Sequence, residues 1–257
     1  MKNTNSVHAG FCSIVLMLSS MLPSCNANQS RISSPNPGPS PETPTIAFGK
    51  EAWEDYFGAV DEEPALPDNI NEILNSDCLF WPGKKIKETH LLVMIPATAN
   101  DKPFTLRQLR KLIKEPQKGH ATGYESNGDS LIVRGRFGST VFHNKKAYWI
   151  LMTRNVVPSF SRRTASKNSY PEYAVPTILE ATAAILTHYV RNREWIYEKT
   201  HTYCQEKIEK DTIFLGKSTT TNRLQFGYKM PTGIRFNEEI PNLPVAKRGQ
   251  ALLRRLY

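Results

Sequence analysis

Residues 176–197 read PTILEATAAILTHYVRNREWIY. Pro176 suits the opening turn of a helix, where its missing N–H costs nothing. Ile178, Ala181, Ile185, Tyr189 and Ile196 then recur on one face. The pattern predicts a long amphipathic helix over about Thr177–Tyr197. Its neighbours decide the fold class. His90-Leu91-Leu92-Val93-Met94-Ile95, stopped by Pro96, and Ala147–Thr153, with Tyr148, Trp149, Ile150, Leu151 and Met152 in a row, read as buried strands. Between them Thr105-x-x-Gln108 resembles a capping box, followed by Leu106, Leu109, Leu112 and Ile113 on one face and ended by Pro116. Arg107, Arg110, Lys111 and Lys114 occupy the outside of that helix.

Two short amphipathic helices come earlier, around Trp53, Tyr56 and Phe57 and around Ile70, Ile73 and Leu74. Shorter strands are expected at Ser130–Val133, Thr140–Phe142, Ile213–Leu215, Leu224–Tyr228 and Ile234–Phe236, and Pro158–Ser169 reads as a mobile basic loop. Helices and strands interleave irregularly and no solenoid period repeats. The expected fold is therefore α+β, a single domain with a mixed or antiparallel sheet, in preference to a doubly wound α/β arrangement.

The chain has 257 residues, 39% of them apolar and 22% charged, enough for a packed core and too polar for a polytopic membrane protein. The first residues carry an address. A weakly cationic start (Lys2, His8) precedes an apolar run from Phe11 to Leu22, which reads as a secretory signal. Those twelve residues span about 18 Å as a helix, short of a hydrocarbon layer of roughly 30 Å. The run ends in Leu22-Pro23-Ser24-Cys25, which resembles the bacterial lipobox, with Pro23 departing from its usual small residue. The resemblance implies cleavage before Cys25, lipidation of its thiol and a place in the bacterial envelope, in a membrane that the sequence does not specify. A signal cut elsewhere, or an uncleaved apolar anchor, are the competing readings. Residues 25–47 are rich in Pro and Ser and read as a tether. Residues 1–24 are thus expected to be a signal peptide, and residues 48–257 the globular domain.

Lys plus Arg number 33 against 24 Asp plus Glu, a formal charge of +9. Glu51, Glu54, Asp55, Asp61, Glu62, Glu63, Asp68, Glu72 and Asp77 crowd into one segment that holds no Lys or Arg. This segment either packs against the basic body or forms an exposed docking surface. After removal of Cys12 and lipidation of Cys25, Cys78 and Cys204 remain, as one disulfide or as two buried thiols. No Cys/His cluster predicts a metal, and no cofactor motif is present. Gly216-Lys217-Ser218-Thr219 imitates the end of a phosphate-binding loop, but Asp211 stands where that loop needs its first Gly.

The chemistry that the chain offers centres on the long helix. Glu180, His188 and Arg191 follow at i, i+8 and i+11, and Arg154 ends a strand where it would hold an anion. Glu180, His188 and Cys204 are the candidate catalytic groups of a hydrolase or transferase, and Arg154 and Arg191 the candidate binding groups. The plainer reading pairs His188 and Arg191 with Glu180 and Glu194 on a wet helix face. The tail, Lys247-Arg248 through Arg254-Arg255-Leu256-Tyr257, reads as a terminal helix, either packed on the domain or touching anionic lipid. Nucleic-acid binding has no recognisable motif behind it.

Phe48-Gly49-Lys50-x-x-Trp53-x-x-Tyr56-Phe57-Gly58, Phe80-Trp81-Pro82-Gly83, Thr89–Pro96, Lys102–Leu106, Trp149–Arg154 and Leu179–His188 together resemble an uncharacterised module found in obligate intracellular bacteria of amoebae and arthropods. The likeness covers about residues 48–210. It implies a host-associated setting and carries over no catalytic residue. The expected function is a membrane-anchored lipoprotein whose domain binds a protein or a small anionic ligand.

Overall fold

Two strands of consecutive apolar residues set the centre of the molecule. In the computed structural model, which describes residues 46–114, 117, 145–158, 170–197, 200–208, 211–217, 224–230, 233–236 and 247–257, these are β2 (His90–Ile95) and β5 (Tyr148–Thr153). They pair antiparallel from His90↔Thr153 to Ile95↔Tyr148, with all six residues of each buried. A strand covered on both faces needs no polar alternation, which is why both read as unbroken apolar runs. Before β2 come β1 (Ala47–Phe48) and the helices α1 (Lys50–Tyr56), α2 (Ile70–Asn75) and α3 (Ile86–Thr89). After it come the small hairpin β3 (Thr98–Ala99) and β4 (Lys102–Pro103), then α4 (Leu106–Lys114). β1 pairs in parallel with β2 through Ala47↔Leu92 and Phe48↔Val93.

The second half supplies α5 (Ile178–Asn192), an antiparallel meander of β6 (Thr200–Ile208), β7 (Asp211–Lys217), β8 (Leu224–Met230) and β9 (Gly233–Phe236), then β10 (Lys247–Gly249) and β11 (Leu253–Leu256). The first sheet has the order β1-β2-β5-β11 and the second β10-β6-β7-β8-β9. α5 touches β2 of the first sheet and β6 and β7 of the second. The fold is α+β, with one helix between two mixed sheets.

That position explains how α5 departs from expectation. Thr177 caps it, accepting the Glu180 N–H, while Glu180 accepts the Thr177 N–H in return. Twelve of its fifteen residues are buried, so it is not the amphipathic helix expected: both sides are covered and a polar stripe has nowhere to face. It stops at Asn192, short of Tyr197, because Arg193 takes a left-handed conformation with φ 60°.

The tail also differs from expectation. Leu253–Leu256 is not a terminal helix but an edge strand, antiparallel to β5 from Leu253↔Met152 to Leu256↔Trp149. Its two arginines are ion-paired, Arg254 with Glu172 and Arg255 with Glu180. Between β10 and β11 the chain crosses from one sheet to the other. There the Ala251 N–H donates to Thr202 Oγ1 on β6 at 2.8 Å, and the Leu252 N–H to Thr153 Oγ1 on β5 at 3.2 Å.

The acidic segment is held through backbone donors and through two lysines, Lys50 on Glu62 and Lys85 on Asp77. Asp61 accepts the N–H groups of Ala97 and Thr98, Glu63 accepts that of Lys50, and the Trp149 indole donates to Pro64 O. Cys78 and Cys204 are both free and buried, which settles the choice between disulfide and thiols. The expected signal peptide, Cys25, nearly all of the tether, the strands at 130–133 and 140–142 and most of the 158–169 loop lie outside the described residues.

Candidate functional site

Arg154 is the residue just past β5, and its backbone carries the β2–β5 register one position further. Its N–H donates to Thr89 O at 2.8 Å and its Nε to His90 O at 3.2 Å. Across from it stands the last turn of α5. Arg191 lies over the Phe48 ring, 4.8 Å from its centroid, and donates through one terminal nitrogen to Ala47 O at 2.9 Å and Ile46 O at 3.5 Å. Between the two arginines opens a cavity of about 190 Å³, with His188 and Asn192 on the helix side and Phe48, Leu91 and Val93 on the strand side.

His188 is 8% exposed. The Asn192 Nδ2 lies 3.1 Å from His188 O and 3.0 Å from His188 Nδ1. A group beside a carbonyl oxygen must be the amide nitrogen, a donor, so Nδ1 is the acceptor and the proton of the neutral ring sits on Nε2. Burial and the Arg154 charge push the imidazole down to about 4, against the pull of Glu194. Glu194 Oε2 lies 3.9 Å from Nε2 and its side chain is 78% exposed. At neutral pH the ring is uncharged, so this contact is not an ion pair.

Both guanidinium groups are half-buried, and burial lowers both from the ordinary arginine value. They stay ionised at neutral pH regardless. Among the described residues neither makes an ion pair with a carboxylate; their partners are carbonyl oxygens. Two cations, of which Arg154 also feels the Glu194 carboxylate, and the His188 side chain therefore border one small cavity. Such a wall attracts an anion and repels a metal ion. No protein-family model, curated protein or solved structure matches the chain.

The row expected along the helix thus divides. His188 and Arg191 line the cavity with Arg154, whereas Glu180 belongs to the opposite end of α5, about 12 Å along the axis and roughly 80° around it. There it is 1% exposed, accepts the Tyr148 hydroxyl at 2.9 Å and binds Arg255 with both oxygens, at 2.7 and 2.9 Å. Glu206 on β6 completes this end, both oxygens accepting the Ile178 N–H, with burial raising its carboxyl to about 7. Cys204 lies on β6 outside the cavity lining, and burial together with Glu206 and Glu180 raises its thiol well above the ordinary range. A thiol kept protonated is a poor nucleophile.

His90 opens β2, fully buried, with Nδ1 2.9 Å from Thr89 Oγ1 and Nε2 3.3 Å from the Tyr173 hydroxyl. Among the described residues no three His, Cys, Asp or Glu side chains gather as metal ligands would, and no helix is long and apolar enough to cross a membrane. The sequence reading missed Asn192 and the wall built by β1. An Asn four residues after a His on a helix is a visible signal, but pairing between β1 and β2 spans more than forty residues and leaves no local trace.

Proposed function

We propose that this chain is a lipid-anchored envelope protein whose α+β domain captures a small anion between Arg154 and Arg191. One observation carries the reading: two half-buried guanidinium groups, without carboxylate partners among the described residues, border the same cavity. Burying a cation is costly unless a counter-charge comes with it, and an anionic ligand supplies that charge. The Nε2–H of His188 adds a neutral donor. A covalent hydrolase or transferase mechanism at His188 would need a hydroxyl or thiol beside the ring; among the described residues the groups that reach the imidazole, Asn192 and Glu194, are neither.

The anchor rests on Leu22-Pro23-Ser24-Cys25 and the Pro/Ser-rich stretch after it. Calorimetric titration of the full chain with sodium acetate and inorganic phosphate tests the capture. Saturable binding that Arg154→Gln weakens at least tenfold is expected, and no saturable heat with either anion would overturn it. Intact mass and detergent partitioning test the anchor. The native chain should gain acyl mass and enter the detergent phase, and Cys25→Ala should do neither; a native chain that retains residues 1–24 without lipid would remove the anchor.

A further inference from the structure

The cavity carries more information than its sign of charge. Arg154 and Arg191 contribute two positive charges, and Glu194, 3.9 Å from His188 Nε2 and near enough to Arg154 to act on it, one negative charge, so the balance around the site is one positive charge. A monoanion neutralises it; a dianion overshoots and meets Glu194. The strand side is hydrocarbon, from Phe48 on β1 and from Leu91 and Val93 on β2. An inorganic oxyanion, polar all round, leaves that wall unused. A cavity of about 190 Å³ suits a small molecule and not a long chain.

We propose that the ligand is a short-chain monocarboxylate with an apolar body, its carboxylate on Arg154 and Arg191 and its hydrocarbon against Phe48, Leu91 and Val93. This rests on the anion-capture reading above and narrows it. Arg154 has used only Nε on the protein, so among the described residues its two terminal nitrogens remain for a carboxylate. Arg191 has committed one terminal nitrogen to Ala47 and Ile46. The His188 Nε2–H serves as a further donor to the same oxygens.

The test is a calorimetric series on the full chain at pH 7 with acetate, isovalerate and inorganic phosphate. Each buried methylene is worth about fourfold in affinity. Isovalerate, three carbons longer than acetate, should bind at least tenfold more tightly than acetate, and phosphate no more tightly than acetate. Equal binding of the two carboxylates, or phosphate binding best, overturns the proposal and leaves anion capture standing. No saturable binding of any of the three overturns both. Arg154→Gln should weaken isovalerate at least tenfold, and undiminished binding would place the acid elsewhere and refute the assignment. If that variant does not fold, the series on the native chain decides.

Discussion

Arg255 on β11 grips Glu180 on α5 with both ends of its guanidinium, Nε to Oε1 at 2.7 Å and a terminal nitrogen to Oε2 at 2.9 Å. The carboxylate is 1% exposed on its side chain and the guanidinium 24%. Removing one partner strands the other, so Glu180→Ala should destabilise the fold by roughly 3–5 kcal/mol. Replacing both with apolar residues should cost less than the sum of the single changes. Urea denaturation of the single and double variants measures this, and additivity would show that the pair is not coupled. Isovalerate affinity should survive Arg255→Met, because this pair stands at the far end of α5 from the cavity.

Stability should rise with pH between about 4.5 and 6.5. His90 and His188 are both lowered to about 4 from an ordinary 6.5. The unfolded chain therefore holds two more protons in this window, and their stabilisation is lost as pH falls through about 4. Glu206, raised from 4.5 to about 7, works in the other direction: the native state holds its proton, and that stabilisation is lost as pH rises through about 7. Two protons against one leaves a net rise. Glu206→Gln should steepen it and His188→Gln should flatten it, as read by denaturant midpoints across pH 4–8.

Asn192→Asp should move the imidazole proton of His188. The amide now donates to Nδ1; a carboxylate there would accept from it, shifting the neutral ring to the Nδ1–H tautomer and raising its pKa. Nitrogen-15 NMR of the imidazole distinguishes the tautomers. Weakened acid binding should accompany the shift, since Nε2 would no longer donate into the cavity.

Acid binding itself should tighten as pH falls from 7 towards 5. A bound carboxylate favours the protonated imidazole, so binding takes up a proton in the range above the His188 value of about 4. Affinity measured at pH 5, 6 and 7 checks the direction, and His188→Gln should remove the slope.

Arg191→Lys keeps the charge but loses the guanidinium that lies over Phe48. The short strand β1 should then open more often, with amide exchange at Phe48 faster by about fivefold, the effect of losing roughly 1 kcal/mol of contact. Unchanged exchange would mean that backbone pairing to β2 alone holds the strand.

The elements legible in the sequence were those whose burial shows locally. β2 and β5 announce themselves because both faces are covered, and α5 because Pro176 opens a run with apolar residues at helical spacing. β6 escaped notice: Thr-His-Thr-Tyr-Cys-Gln-Glu-Lys-Ile has no apolar alternation, and what holds it is its place between β10 and β7. The tail was misread for a related reason. Arg254 and Arg255 suggested solvent or lipid, whereas Glu172 and Glu180, more than seventy residues back, neutralise them. In the site, Arg154, His188 and Arg191 were visible as a strand end and a helix spacing. Glu180 was grouped with them because i and i+8 were read as one face, although eight residues also carry a side chain more than two turns along the axis.

The strand that closes the cavity is the one through which the preceding polypeptide enters the domain. β1 is two residues long, paired in parallel at a sheet edge, and its carbonyls are clasped by Arg191. In the lipid-anchored form proposed above, a pull exerted through the stretch that begins at Cys25 is delivered first to Ala47 and Phe48, and so to the cavity wall. A load large enough to peel β1 from β2 would open the pocket sideways and take away its aromatic floor. An occupant that draws Arg191 inward would loosen the same clasp from the other side. Mechanical tension and chemical occupancy thus act on a single guanidinium.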